Sequence, residues 1–222
     1  MDQPNLGEVV HQGALNALAR INWFSASSGI FWPPLRELSQ QVPQRTIRVL
    51  DIGCGGGDVT LALARRARLA GRKFQFAGCD VSPVALDWAR RRATHAGEAV
   101  EFFPLNVLES PLPADYDVII CSLFLHHLDE SQAERLLRRM GDAANRLVLV
   151  NDLVRGRWGY LMAVVASRLL TTSHVVHVDG PLSVAGAFTP QEALDLAERA
   201  GLAGARVTRH WPRRFLLRWS KA

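Results

Sequence analysis

Four glycines in five positions, Gly53, Gly55, Gly56 and Gly57, interrupt the stretch Val49-Leu50-Asp51-Ile52-Gly53-Cys54-Gly55-Gly56-Gly57-Asp58 between an aliphatic run and an amphipathic one. Such a turn reaches positive φ and lets a ligand approach main chain where a Cβ would collide. The helix after it offers free N–H groups and a positive dipole end. The chemistry on offer is cofactor binding. A dinucleotide fingerprint needs glycine at the first, third and sixth positions, and counting from Gly53 the sixth is Asp58, which argues against a nicotinamide dinucleotide. Asp80 closes the next largely apolar run, where a carboxylate can accept hydrogen bonds from both hydroxyls of a ribose. Imidazole as a group can exchange a proton near neutral pH, which makes His126 and His127 candidates for a general base. Asp152, at the end of a later apolar run, is placed to orient a substrate or take a proton.

These residues need elements to hold them. Arg48 to Ile52 reads as a buried strand, and a helix capped by Asp58 runs to Ala70 with Gly71 as its stop. Phe74 to Asp80 is a second strand, succeeded by a helix that begins at Ser82-Pro83 and ends near Gly97. Val100 to Val107 and Asp117 to Leu123 are strands three and four. Asp129 to Met140 is a helix, with Ala133, Leu136, Leu137 and Met140 on one face. Arg146 to Leu153 is strand five, and Trp158 to Leu170 is a helix. Thr171 to Phe188 is a long loop without period, and long loops in compact domains tend to be functional. Thr189-Pro190-Gln191-Glu192 is a capping box opening a helix to Gly201. Ala205 to Trp211 and Arg213 to Trp219, joined too tightly for a crossover, pair antiparallel. Strands alternating with helices predict a Rossmann-like, doubly wound α/β sheet of seven strands, with ligands bound beyond the strands' carboxyl ends.

Ahead of the glycine turn the chain reads as a helical cap over residues 1–44, with 45–222 as one compact domain. Ala14, Leu15, Leu18 and Ile21 keep helical spacing, and Pro33-Pro34 interrupts the pattern before Leu35. Trp23, Phe24, Phe31 and Trp32 crowd together and suit either an apolar substrate pocket or plain core.

A chain of 222 residues buries a full core without staples, and its composition is too apolar for disorder. The charge of +5 is almost all arginine, Lys73 and Lys221 being the only lysines. The arginine pairs fall mostly on predicted helices away from the glycine turn, which reads as solvated helix faces. Cys54, Cys79 and Cys121 have no C-x-x-C spacing and suit a reduced, cytoplasmic compartment. Met1 to Val10 has no signal-peptide pattern, and no apolar run approaches the ~20 residues that cross a bilayer.

The string V-L-D-x-G-C-G-x-G over residues 49–57 resembles the glycine-rich first motif of class I S-adenosylmethionine (SAM) dependent methyltransferases. The resemblance implies SAM as cofactor, held by Asp51, Gly53, Cys54, Gly55 and Gly57 with Asp80 on the ribose and Val81 on the base. It also implies an adenine contact at Asn106-Val107, where the family often has aspartate, and a last strand inserted antiparallel. Cys121-Ser122-Leu123-Phe124-Leu125-His126-His127-Leu128 is similar to the fourth motif of small-molecule methyltransferases and adds Ser122 to the cofactor set. No N-P-P-Y or D-P-P-Y clamp occurs, Cys121 lacks the preceding proline of 5-cytosine enzymes, and the Lys-Asp-Lys-Glu set of ribose methylation is unavailable. Nucleic acid is therefore not the expected partner.

The overall pattern is similar to bacterial methyltransferases of ubiquinone, menaquinone or polyketide-tailoring type. That resemblance implies methyl transfer to oxygen or carbon of a small phenolic, quinol or polyketide-like acceptor. Trp23, Phe24, Trp158 and His177 are the expected acceptor contacts, and His127, His126 and Asp152 the catalytic candidates. A metal reading of His174-x-x-His177-x-Asp179 lacks a specified third ligand, and its neighbours are apolar where acceptors should orient the imidazoles, so no metal is expected. An RNA or protein methyltransferase, or a SAM-binding partner subunit without catalysis, are the alternatives, and a homodimer is left open.

Overall fold

The computed structural model describes residues 27–156, 159 and 182–221. In chain order these form α1 (Ser27–Gln41), β1 (Ile47–Ile52), α2 (Asp58–Leu69), β2 (Phe74–Asp80), α3 (Pro83–Ala96), β3 (Glu101–Pro104) and β4 (Tyr116–Ser122). Next come a 3-10 turn over Leu125–His127, α4 (Glu130–Ala143), β5 (Ala144–Leu153), α5 (Pro190–Arg199), β6 (Arg206–His210) and β7 (Arg214–Ser220). The seven strands lie in the order β3-β2-β1-β4-β5-β7-β6, with β1 to β5 mutually parallel and β7 antiparallel to both neighbours. The order reverses between β1 and β4, and in open α/β sheets that switch point is where ligands bind.

Period-two alternation sorts the strand residues between two faces. Val49, Val118, Ile120, Leu147, Leu149 and Leu216 pack with α1 and α2, while Leu50, Ile52, Ile119, Val148, Val150 and Phe215 pack with α4 and α5. Toward α1 and α2 the carboxyl-end positions turn polar, as Asp51, Ser122 and Asn151, with Arg214 beside them on β7.

Helix α1 runs unbroken through Pro33 and Pro34, which the sequence predicts as an interruption. Each proline costs a helix interior about 3 kcal/mol. Ile30, Phe31, Trp32, Leu35 and Leu38 are all buried, at about 1.5–3 kcal/mol apiece, and together outweigh the two prolines. Helix α2 begins at its expected cap, one residue early, with Gly57 at φ 73° in the capping position and Asp58 already helical. Helix α4 carries a reciprocal capping box, Asp129 Oδ1 accepting from Gln132 N at 2.8 Å and Gln132 Oε1 from Asp129 N at 3.1 Å. Strand β3 is four residues, shorter than the apolar run suggests, because Asn106 turns the chain by accepting from Leu108 N. Residues 182–186, inside the expected loop, are helical. Among the described residues no helix is long and apolar enough to cross a membrane.

Candidate active site

The glycine turn is fixed by its own main chain, with Cys54 N donating to Cys79 O and Gly57 N to Cys54 O, both at 3.0 Å. Gly53 and Gly55 have φ of 63° and 51°, which L side chains rarely adopt. A Cβ on Gly53 would lie 2.9 Å from the Phe124 ring, whereas one on Gly55 would project into open space. The cleft therefore opens over Gly55, and Phe124 forms its wall over Gly53. From the far side Arg92 grips the turn, donating to Gly56 O at 3.1 Å and pairing with Asp58.

Asp80 is tied into the same turn before any ligand arrives. Its Oδ2 accepts from Gly55 N at 2.8 Å and its Oδ1 from Ser82 N at 2.9 Å, and each carboxylate oxygen retains a further lone pair. Val81 beside it is 63% exposed, an apolar surface facing outward next to a polar anchor. Asn106 is partly exposed at the end of β3, with Oδ1 taken up by the Leu108 amide. Val107 points into the core under α4, so its side chain packs there and not in the cleft.

Asp51 is 2% exposed. Its Oδ2 accepts from Thr60 Oγ1 at 2.6 Å, and its Oδ1 has no hydrogen-bond partner among the described residues. Burial pushes its carboxyl up to about 7, the Thr60 bond acting against this and the nearby Asp80 and Asp58 reinforcing it. A buried carboxylate with an idle oxygen, and with carboxylates as its charged neighbours, fits an ammonium-bearing ligand. The three thiols near this end, Cys54, Cys79 and Cys121, are all free, and burial, reinforced by nearby carboxylates, raises each.

Across the switch point, His126 and Asp152 form a buried pair with Nδ1 to Oδ1 at 2.7 Å, and Asp152 Oδ2 also accepts from His126 N at 3.2 Å. Burial works to raise Asp152. The charge and hydrogen bond of the His126 imidazole, with the Leu153 and His126 amides, outweigh burial and hold the carboxyl below the ordinary aspartate value. His127 is exposed, its ring centroid 4.1 Å from that of His126. The 3-10 turn thus carries one anchored imidazole and one that reaches outward. Ser122 accepts from Asn151 Nδ2 at 3.1 Å, and Leu123, between Ser122 and Phe124, has φ 55°, an outlier for a branched residue.

Sequence reasoning gave no role to Thr60, Phe124, Asn151 or Arg92; Phe124 lies within the fourth-motif string, and only the register between strands and the crossing of helices brings the other three to the turn. Trp23, Phe24, Trp158 and His177, with the His174 and Asp179 neighbours of His177, lie outside the described residues.

A cradle with this geometry, fitted to a nucleoside bearing an amino acid, agrees with the relatives of the chain. Residues 49–146 match the family described as a methyltransferase domain. The ubiquinone biosynthesis O-methyltransferase of Pseudomonas aeruginosa (strain LESB58) is 24% identical over 200 residues, covering 86% of this chain and 77% of that protein. The crystal structure of the S-adenosylmethionine-dependent methyltransferase SibL superposes with a TM-score of 0.69 at 20% identity, covering 99% of this chain and 60% of that one. Magnesium protoporphyrin IX methyltransferase from Synechocystis PCC 6803, solved with bound S-adenosylhomocysteine, gives a TM-score of 0.58 at 15% identity, covering 96% and 84%. Strand order, glycine turn and these matches lead to one conclusion: residues 49–146 carry a methyltransferase domain, on the fold shared by SAM-dependent methyltransferases.

Proposed function

We propose that this enzyme transfers the methyl group of SAM to an oxygen of a small hydrophobic acceptor of phenolic or quinol type, with His127 as general base. The observation that carries the reading is the 3-10 turn at the mouth of the switch point, where buried Asp152 anchors His126 and leaves the neighbouring His127 exposed. The ubiquinone biosynthesis O-methyltransferase relative supports oxygen and a quinol-like acceptor.

SAM supplies an activated sulfonium methyl, so the chain's work is positioning and proton removal. Asp51 Oδ1 would accept from the amino-acid ammonium, whose positive charge would favour the ionised carboxylate. Asp80, already oriented by Gly55 N and Ser82 N, accepts from the ribose hydroxyls. Val81 covers the base, and the Phe124 ring closes the cradle over Gly53. A phenol has a pKa of about 10, so at neutral pH a nearby imidazole must take its proton as the oxygen attacks. Trp23, Phe24, Trp158 and His177 are proposed as acceptor contacts from their residue types and places in the sequence. Residues 1–44 are proposed as a front segment laid against a 45–222 domain, supported by the burial of α1 against α2 and β5. A reducing, cytoplasmic setting is supported by the three free thiols.

Incubation with methyl-labelled SAM and a panel of catechols, quinols and hydroxylated polyketides tests the reading. Label is expected on a phenolic oxygen. His127→Ala is expected to lower the turnover number at least about 100-fold, with the Kd for S-adenosylhomocysteine unchanged. Label on RNA or protein and on no phenol overturns the acceptor class; full turnover by His127→Ala overturns the base.

A further inference from the structure

Four hydrogen bonds tie the end of β5 to the turn after β4. Asn151, 0% exposed, donates from Nδ2 to Ser122 Oγ at 3.1 Å, and its main-chain oxygen accepts from Leu123 N at 2.9 Å. On the opposite face of the strand, Asp152 accepts from His126 N and pairs with His126 Nδ1. The segment from Ser122 to His126 is thus held at both ends by two consecutive residues. Within it Leu123 keeps its left-handed backbone and Phe124 presses its ring against Gly53. Strained backbone persists only where its surroundings over-determine it.

The Asn151 side chain is unusual in one further respect. Its carboxamide oxygen is buried without a hydrogen-bond partner among the described residues. Amide orientation is assigned from the bonding network, and Ser122 Oγ can either accept or donate. Whichever way the amide is turned, one of its ends stays unpaired, so a leucine of similar volume would sit there without that penalty. A polar group kept at such a place serves the turn and not the core.

We propose that Asn151 is a positioning residue for the cofactor site, acting through Ser122 to set the turn beside the amino-acid end of SAM. The proposal rests on the placement of the adenosine half at Asp80 and Val81 on β2. With the adenosine there, the rest of the cofactor crosses β1 toward β4. Ser122 directly succeeds Cys121, the register partner of Ile52, and so stands beside Gly53 at that crossing.

The test is calorimetric titration of the full chain and its variants with two probes, S-adenosylhomocysteine and 5′-methylthioadenosine, the second lacking the amino-acid end. Asn151→Leu and Ser122→Ala are each expected to weaken S-adenosylhomocysteine about tenfold, and the double variant no more than either single one, because both break the same link. Neither is expected to change the affinity for 5′-methylthioadenosine. Ser122→Thr, which keeps the hydroxyl, recovers most of the loss and decides the matter even where Asn151→Leu does not fold. Losses that multiply in the double variant, equal loss for both probes, or no loss at all overturn the proposal. Failure of the unmodified chain to bind either probe overturns instead the placement of the cofactor on which it rests.

Discussion

Each end of the central strands β1 and β4 buries one aspartate, and the two are treated in opposite ways. At the amino end, Asp117 is 2% exposed and surrounded by donors: Arg45 Nη2 lies 2.8 Å from Oδ1, Arg146 Nε lies 3.6 Å from it, and Arg48 N donates to Oδ2 at 3.0 Å. The two arginines contact Oδ1 as ion pairs without a well-aligned hydrogen bond. At the carboxyl end, Asp51 is as deeply buried, yet its hydrogen bond comes from the Thr60 hydroxyl, and two further carboxylates approach it. A charge that the fold compensates is scaffold. One that it leaves uncompensated is pushed toward its neutral form by burial, and suits a ligand that brings the missing cation.

Replacing Asp117 with alanine should show the largest effect, about 3 kcal/mol of stability lost in denaturant unfolding, as expected when one partner of a buried ion pair is removed. Affinity for S-adenosylhomocysteine should be unchanged under conditions where the variant is folded; a selective loss of affinity would erase the distinction between the two ends. Asp51→Asn is next. It keeps the volume and the Thr60 contact but removes the charge, and calorimetry should show affinity reduced roughly 30- to 100-fold, about 2–3 kcal/mol. The ligand-free Tm should stay level or rise, and a clear fall would assign Asp51 to the scaffold.

The last test is in pH. Asp51 binds its proton more tightly folded, at about 7, than unfolded, near 3.8, so between those values the native state holds more protons. Its contribution to stability is greatest below the unfolded value and is lost as pH rises toward 7. Asp152 has the opposite sign: its depressed carboxyl contributes above the ordinary aspartate value, and that contribution is lost as pH falls through the folded one. The ligand-free Tm should therefore fall from pH 4 to pH 7 relative to Asp51→Asn measured in parallel. Parallel curves for the two proteins would remove the titration from Asp51.

Much of this was legible in the sequence, for reasons that are local. Largely apolar runs ending in glycine or aspartate mark β1 and β2, and Thr189-Pro190-Gln191-Glu192 forms the capping box it spells, with Thr189 Oγ1 accepting from Glu192 N and Glu192 Oε2 from Thr189 N. The glycine turn and Asp80 declare themselves because a tight turn and a strand-end acid need those residue types. What was not legible depends on distance along the chain. Pro33-Pro34 reads as a break because the compensating burial comes from β5 and α2. Asn151 reads as an ordinary strand residue until register sets it against Ser122. Val107 reads as a cleft residue until α4 packs over it.

Cys54 stands inside the cradle for a cofactor whose reactive carbon is an alkylating agent. Its side chain also lies 2.9 Å from where a Cβ on Gly78 would be, enclosed by the turn itself. The nucleophilic form of cysteine is the thiolate, and a thiolate here would compete with the acceptor and poison the enzyme by taking the methyl itself. Burial first, then the charges of Asp51 and Asp80, raise the Cys54 thiol well above its ordinary value. Burial, with the carboxylates proposed to hold the methyl donor, therefore keeps this sulfur protonated and silent toward it.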